Sequence, residues 1–209
     1  MQYGAEVFPY QRTEKLKDEE KKHETRDLTK TAQIIFYFLA GFLVGRVMMV
    51  NLMAPFGIAF FISIAVCEKR KPSLVAALGT LLGYASMYGN IKYLPVYCIV
   101  TVTLAALNHI LNNISAKKKL ILLFSATLIE FFAYKFLIVN LTAGVAAFNS
   151  VFEVMCIFPI YFIINYSIVC LKKLKTRHLY SSEEIISISI TASLIIAGTW
   201  GMNIYGVSF

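Results

Sequence analysis

The amino-acid sequence predicts an all-α protein, a polytopic transmembrane helical bundle of about seven spans with its N-terminus in the cytoplasm. Three observations support this fold class: the composition, a series of long apolar runs, and basic clusters that alternate between the runs. Of 209 residues, 58 % are hydrophobic and only 15 % are charged, whereas a soluble domain is about half apolar and about a quarter charged. With four scattered cysteines, this composition argues against a soluble multidomain enzyme, a disulfide-rich secreted module and a disordered protein.

The charge distribution divides the chain into two segments. Residues 1–30 carry seven Lys or Arg and seven acids, which predicts a solvated cytoplasmic tail with no net charge. The net charge of +8 therefore belongs to residues 31–209, the predicted transmembrane domain. There the basic residues lie in short clusters between apolar runs rather than on one face, so we expect the lipid bilayer, and not nucleic acid, as the partner.

Seven apolar runs are candidates for transmembrane helices, which need about 20 residues to cross about 30 Å of hydrocarbon. In chain order they lie near 31–50, 53–67, 73–89, 94–112, 120–139, 150–171 and 185–207. The first follows a polar lead too long for a cleavable signal and is predicted to be a retained anchor. The second is short and contains Pro55 and Gly57 near its start, so a tight hairpin or re-entrant segment is the alternative for it.

The basic clusters set the predicted orientation. Seventeen of the twenty Lys and Arg lie in the tail and in loops near 69–71, 117–119 and 172–177, whereas the intervening loops contribute only Lys92. By the positive-inside rule, this asymmetry places the N-terminus in the cytoplasm. The alternation also favours the second run as a true crossing, because removing that span would put basic clusters on both sides.

Small residues spaced four apart predict close helix contacts, because they let backbones approach where lipid provides no hydrophobic drive to association. The pairs are Gly41 with Gly45, Gly79 with Gly83, and Ala197 with Gly201. They indicate packing within one bundle or, alternatively, self-association of the chain. Before the last run, Ser181 and Glu184 fit a capping box that begins a helix.

Ionisable residues inside the runs need a partner, water or a functional role. Arg46, Lys135 and Glu153 are predicted at similar depths in the outer third of the bundle, where Glu153 pairs with Arg46 or Lys135; snorkelling of each cation is the alternative. Glu130 lies near the midplane and is predicted to be neutral or paired with Arg46. Proton or cation coupling is the functional interpretation of Glu130, and a structural polar contact is the alternative.

His109, with Asn108 and Asn112 beside it, is predicted to cap a helix or to form an interhelical hydrogen bond. A metal site is disfavoured because no second His, Cys or acid lies at ligand spacing. The sequence contains no GxxxxGK[ST], HExxH, GxSxG or CxxC motif, and these would mark the commonest catalytic sites. We therefore expect no catalytic, cofactor-binding or metal site in this chain.

The order of several short motifs carries a family resemblance. They are Gly45-Arg46, Pro55-Phe56-Gly57-Ile58-Ala59-Phe60, Lys71-Pro72 before the Gly79/Gly83 run, Ser182-Glu183-Glu184-Ile185-Ile186-Ser187, Gly198 and Tyr205-Gly206. Over about residues 31–209 the chain resembles the N-terminal membrane region of stage II sporulation protein E, the membrane-bound serine/threonine phosphatase of endospore-forming Firmicutes.

This resemblance implies about ten spans, a cytoplasmic central region and a PP2C-type phosphatase domain that uses Mn or Mg. It further implies dephosphorylation of an anti-anti-sigma factor, activation of the first forespore sigma factor, localisation to the asymmetric septum, self-association and contact with a tubulin-like division protein. The acidic metal-binding motifs of the phosphatase are not present up to Phe209. We therefore expect a truncated or fragmentary member, with no catalytic residue to carry over.

Two other function classes compete with the anchor. One is the substrate-binding membrane subunit of a vitamin-type transporter, in which Glu130, Asn108, His109 and Glu153 would supply the polar groups of a pocket between helices. The charged tail and the ordered motifs weigh against it. The other is a purely structural scaffold without any downstream enzyme.

Overall fold

A computed structural model describes residues 31–48, 53–68, 70–87, 93–173 and 181–200, and no β-strand occurs in these ranges. Their helices are α1 (Thr31–Gly45), α2 (Pro55–Cys67), α3 (Arg70–Ser86), α4 (Leu94–Ile110), α5 (Ala116–Ala133), α6 (Ala143–Lys173) and α7 (Ser182–Trp200). A 3₁₀ turn, Leu111–Asn113, follows α4, and a π-helix, Tyr134–Ile138, continues α5. The predicted tail, residues 1–30, lies outside the described residues.

The chain divides into two units, residues 1–36 and 37–209. In the first unit, the described residues 31–36 form the beginning of α1. The second unit contains the rest of α1 and the other six described helices. Among the described residues, three stretches are long and apolar enough to cross a membrane, namely Ala116–Ile138, Ala143–Lys172 and Ser182–Thr199. Helices α1, α2 and α4 are shorter apolar helices.

Helix α2 is at the centre of the second unit. Eleven of its 13 residues are buried, and it packs against α3, α4, α5 and α6. A helix that is apolar all round belongs in a protein interior. Pro55 occupies its first turn, where a missing N–H costs no intrahelical bond. The second predicted run is therefore one continuous helix rather than a hairpin, although at about 1.5 Å per residue it is only about 20 Å long.

Helices α1 and α3 are held together by four glycines. A Cβ atom added at Gly41 or Gly45 would lie 2.8 Å from a carbonyl oxygen of α3, and one added at Gly79 or Gly83 would collide with a carbonyl oxygen of α1. The two predicted pairs thus face each other across one intrachain contact. This contact covers all four glycines, as expected for packing within one bundle.

Helix α7 approaches α1 through Gly198, where an added Cβ would collide with the backbone of Leu43. Ala197, from the third predicted pair, is half-buried and packs against the hydrophobic core, and Gly201 lies outside the described residues. The capping box at the start of α7 is confirmed. The Ser181 amide donates to Glu184 Oε2 at 3.0 Å, and the Glu184 amide donates to Ser181 Oγ at 3.3 Å.

Candidate functional site

A buried ion pair joins the end of α5 to α6. Lys135 Nζ lies 3.1 Å from Glu153 Oε1, and the two side chains are 2 % and 4 % exposed. Of the two partners predicted for Glu153, the structure therefore has Lys135. The burial of its ammonium group also shows that Lys135 does not snorkel to an interface.

The π-helix Tyr134–Ile138 explains how Lys135 reaches this position. The Val139 amide bonds to the Tyr134 carbonyl at 3.1 Å, five residues back, and the Leu141 amide bonds to the Lys135 carbonyl at 3.1 Å. A π-turn widens the helix and re-aims its side chains, and such turns occur frequently at functional sites. Asn140, with a φ of 56°, then turns the chain toward α6.

Aromatic rings connect the ion pair to the beginning of α2. The ring of Phe131 lies 5.6 Å from Lys135 Nζ, and Tyr97 packs edge-on against Phe131 with ring centroids 5.6 Å apart. Tyr84, next to Tyr97, donates its hydroxyl to the Ala54 carbonyl at 2.9 Å. The Tyr97 hydroxyl is buried and has no hydrogen-bond partner among the described residues. The ion pair therefore lies in a mostly apolar surrounding with few competing polar groups.

The ion pair lines a cavity of about 430 Å³, which is within the range of small-molecule sites, about 300–1,000 Å³. We call it the ion-pair pocket; its lining residues are Met53, Tyr93, Lys135, Phe148, Asn149, Phe152 and Glu153. Tyr93 has a φ of 57° immediately before α4, a left-handed conformation that is uncommon for a residue with a bulky side chain. The pocket thus combines a buried charge pair, an amide, a strained backbone position and an apolar wall.

Three cations gather at the opposite end of α2, and we call them the basic cap: Arg70, Lys119 and Lys172. Lys119 Nζ donates to the Ala65 carbonyl, and Lys172 Nζ donates to the Cys67 carbonyl at 2.8 Å. Such contacts are favourable because the last carbonyls of a helix carry partial negative charge. The three cations come from the three loops that the sequence predicts to be cytoplasmic.

Arg46, the other candidate partner, does not pair with Glu153, and the described residues show no hydrogen bond of the His109 side chain. Arg46 lies over the Phe42 ring at 5.7 Å, and within the described residues it forms no ion pair with Glu130 or Glu153. The His109 side chain is exposed. Its backbone carbonyl accepts a hydrogen bond from Arg70 at 3.1 Å, and no interhelical bond of the imidazole is found within the described ranges. The neighbouring residue Asn108 makes that bond instead, to Ser73 Oγ at 2.8 Å.

Glu130 is half-buried on α5, and its Oε2 has no hydrogen-bond partner in the part of the chain that the structure describes. Thr103 of α4 is its polar neighbour. Glu130 lies outside the lining of the ion-pair pocket, as do Asn108 and His109. Within the described residues, no three His, Cys, Asp or Glu side chains are grouped to hold a metal ion.

One signal for the site is visible in the sequence beyond those that predict the ion pair. The five buried residues of α5 and its π-turn follow each other at intervals of four: Lys119, Leu123, Thr127, Phe131 and Lys135. Residues four apart share a helix face. The four-residue interval therefore distinguishes Lys119 from the exposed lysines beside it. It also places one lysine, Lys119 or Lys135, at each end of a single buried helix face. Asn149 and Tyr93 had no comparable signal.

The sequence matches the family described as "SpoIIE, N-terminal domain" over residues 4–209. Among curated proteins and among solved structures, no match to the chain is found.

Proposed function

Because the chain belongs to the SpoIIE N-terminal domain family, we propose that it anchors a sporulation-specific serine/threonine phosphatase in the membrane and places it at the asymmetric septum for forespore sigma-factor activation. The membrane region of a sporulation phosphatase is what the family match supports directly. The single observation behind the proposal is the extent of that match, residues 4–209, which covers almost all of the chain. The apolar helices α5, α6 and α7 are compatible with the membrane part of this function.

The proposed topology has seven crossings with the N-terminus in the cytoplasm. The basic cap supports it, because cations from three predicted cytoplasmic clusters, which lie at the ends of α3, α5 and α6, gather at the same end of α2. The ion-pair pocket, which Lys135 and Met53 line, lies instead at the N-terminal end of α2. An arrangement with basic loops at one end is what the positive-inside rule requires of one cytoplasmic face.

The proposed partners are the lipid bilayer, further copies of the chain, and division and sporulation proteins at the septum, with no nucleic acid. Self-association would have to use surfaces other than the α1–α3 glycine contact, which is closed within the chain. The chain itself is proposed to be non-catalytic and to need no cofactor. In this proposal, Mn or Mg belongs to a phosphatase domain to which the membrane region is coupled.

Localisation in sporulating cells tests the anchor. The 209-residue chain, fused to a fluorescent protein, is expected to concentrate at the asymmetric septum of an endospore former. A multi-pass protein of similar size, fused in the same way, serves as the control and should label the membrane evenly. Even labelling by both fusions would contradict the localisation function while leaving the membrane assignment intact.

The transporter subunit stays as the second candidate because of one observation, the 430 Å³ ion-pair pocket. Of the four residues predicted to supply its polar groups, only Glu153 lines the cavity. A transporter subunit would show ligand uptake that depends on partner ATPases, and it would have no reason to concentrate at the septum. Uptake without septal enrichment would therefore favour this function over the anchor.

A further inference from the structure

The ion-pair pocket contains a hydrogen-bond acceptor that the described residues leave unsatisfied. Glu153 is only 3 % exposed, and its Oε1 faces Lys135 Nζ at 3.1 Å. Its second oxygen, Oε2, is buried and has no hydrogen-bond partner in the described ranges. A buried carboxylate oxygen without a donor is costly, so a molecule that brings an N–H or O–H donor into the cavity would gain a strong, charge-assisted hydrogen bond.

The other half of the pair offers donors to the same space. A lysine ammonium carries three N–H donors, and the bond to Glu153 uses one of them. The Phe131 ring, 5.6 Å away, covers another side of the ammonium group. Lys135 and Glu153 both line the cavity. The cavity therefore presents a positively charged hydrogen-bond donor beside a negatively charged acceptor.

The charge balance of the pocket selects the kind of ligand. Lys135 and Glu153 carry opposite charges, and the other lining residues that the structure describes are neutral. A ligand with one net charge would leave that charge buried without compensation, which is unfavourable. A zwitterion lying antiparallel to the ion pair would satisfy both ends, with its ammonium group on Glu153 Oε2 and its anionic group on Lys135.

The wall of the pocket indicates an apolar body for this ligand. Phe148 and Phe152 line the cavity and remain 72 % and 51 % exposed, and Met53 lies among the same lining residues. Large exposed aromatic side chains beside a buried charge pair suit a molecule with a polar head and an apolar remainder.

We propose that the ion-pair pocket binds a zwitterionic primary ammonium compound with an apolar body. An ethanolamine phospholipid headgroup and a free apolar amino acid share this chemistry, and they are the two sources that an experiment must separate. The site goes beyond the anchoring function and does not depend on it, because it rests on the geometry of Lys135, Glu153 and the cavity alone.

The lipid arm uses the full chain in nanodiscs made from equal parts of phosphatidylethanolamine, phosphatidylcholine and phosphatidylglycerol, followed by native mass spectrometry. Phosphatidylcholine is the matched probe, because it is a zwitterion that has no N–H donor for Glu153 Oε2. Retention of phosphatidylethanolamine over each of the other two lipids is expected to be about tenfold, the effect of one charge-assisted hydrogen bond.

The soluble arm measures the thermal unfolding of the same chain with leucine and with N-trimethylated leucine. If the natural ligand is a free amino acid, leucine raises the Tm and its trimethylated form does not. Binding in either arm identifies the source. An absence of selectivity for the N–H donor in both arms overturns the proposal.

Variants assign the selectivity to the pocket. Glu153→Gln removes the charged acceptor at nearly constant shape, and Asn149→Trp fills the cavity without changing a charge; both are expected to abolish the selectivity. Glu130→Gln is the matched control, because Glu130 also has a buried oxygen without a partner among the described residues but does not line the cavity. If Glu153→Gln fails to fold, Asn149→Trp decides the question. Selectivity that survives in a folded Asn149→Trp variant would overturn the proposal.

Discussion

Breaking the Lys135–Glu153 ion pair should be among the most damaging changes that can be made to the described helices. At a separation of 3.1 Å, two unit charges attract each other by about 5 kcal/mol at an effective dielectric constant of about 20. Removing one partner loses this attraction and leaves the other charge buried without compensation. The typical loss of folding stability is then about 3–5 kcal/mol. We therefore expect Glu153→Gln and Lys135→Met each to lower the free energy of unfolding by about 3–5 kcal/mol.

The double variant Lys135→Met/Glu153→Gln distinguishes an ion pair from two independent polar residues. With both charges removed, neither is left uncompensated, so the double variant should be less destabilised than the sum of the two single variants. The expected coupling free energy is about 3 kcal/mol or more. The assay is reversible unfolding in mixed micelles, followed by the fluorescence of the single tryptophan of the chain.

The ion pair between Lys172 and Glu68 is the matched control. Its N–O distance is 2.9 Å, similar to that of the buried pair, but the Lys172 side chain is 41 % exposed. Exposed pairs contribute about 0.2–1 kcal/mol, so a double-mutant cycle at these two residues should give a small coupling. The reasoning from burial is refuted if the Lys135–Glu153 coupling is no larger than that of the control pair.

Three further changes test the packing and capping of the helices in the same unfolding assay. Gly83→Ala should cost about 1–3 kcal/mol because its methyl group collides with a carbonyl oxygen of α1, whereas Gly144→Ala, with open space around it, should change stability little; equal effects would contradict the α1–α3 contact. Lys119→Met should lower the free energy of unfolding by about 0.5–2 kcal/mol, because the hydrogen bond to the Ala65 carbonyl is lost. Lys118→Met, at an exposed position, should be close to neutral. Equal effects of the two variants would contradict the burial of Lys119. Ser181→Ala should cost about 0.5–2 kcal/mol, and an unchanged unfolding midpoint would show that the capping box contributes nothing.

The sequence predicts the helices better than it predicts their contacts. Long apolar runs and turn residues are local signals, so the described part of each predicted run contains a helix, and Ser181 caps α7 as its motif requires. The partner of Glu153 depends on tertiary structure. Depth along a straight helix makes Arg46 and Lys135 equivalent candidates. The π-turn at Tyr134–Ile138, which re-aims Lys135, has no signature in the residue pattern.

The same limit explains why the lining of the pocket, apart from Glu153, does not follow from the sequence. Glu130 has the most conspicuous position in the sequence, an acid in the middle of an apolar run, yet it lies off the buried face of α5 and outside the pocket. Met53, Tyr93 and Asn149 come from three separate segments, and each is ordinary in its local sequence. Such a cavity is defined by where segments meet, and a pattern read along one helix carries no information about that.

The short length of α2 explains both the basic cap at one of its ends and the ion-pair pocket at the other. At about 20 Å, α2 is shorter than the roughly 30 Å of hydrocarbon. In a membrane its crossing must therefore be completed by the residues beside it, and both of its ends must be satisfied by protein rather than by water. At one end, Lys119 and Lys172 bond to its last carbonyls. At the other end, Tyr84 bonds to the Ala54 carbonyl and the ion-pair pocket begins at Met53. Non-helical backbone at membrane depth is tolerated where it is buried in protein or lines a polar cavity. A polar pocket beside the N-terminus of α2 is therefore the expected consequence of a central helix that stops short of the membrane surface.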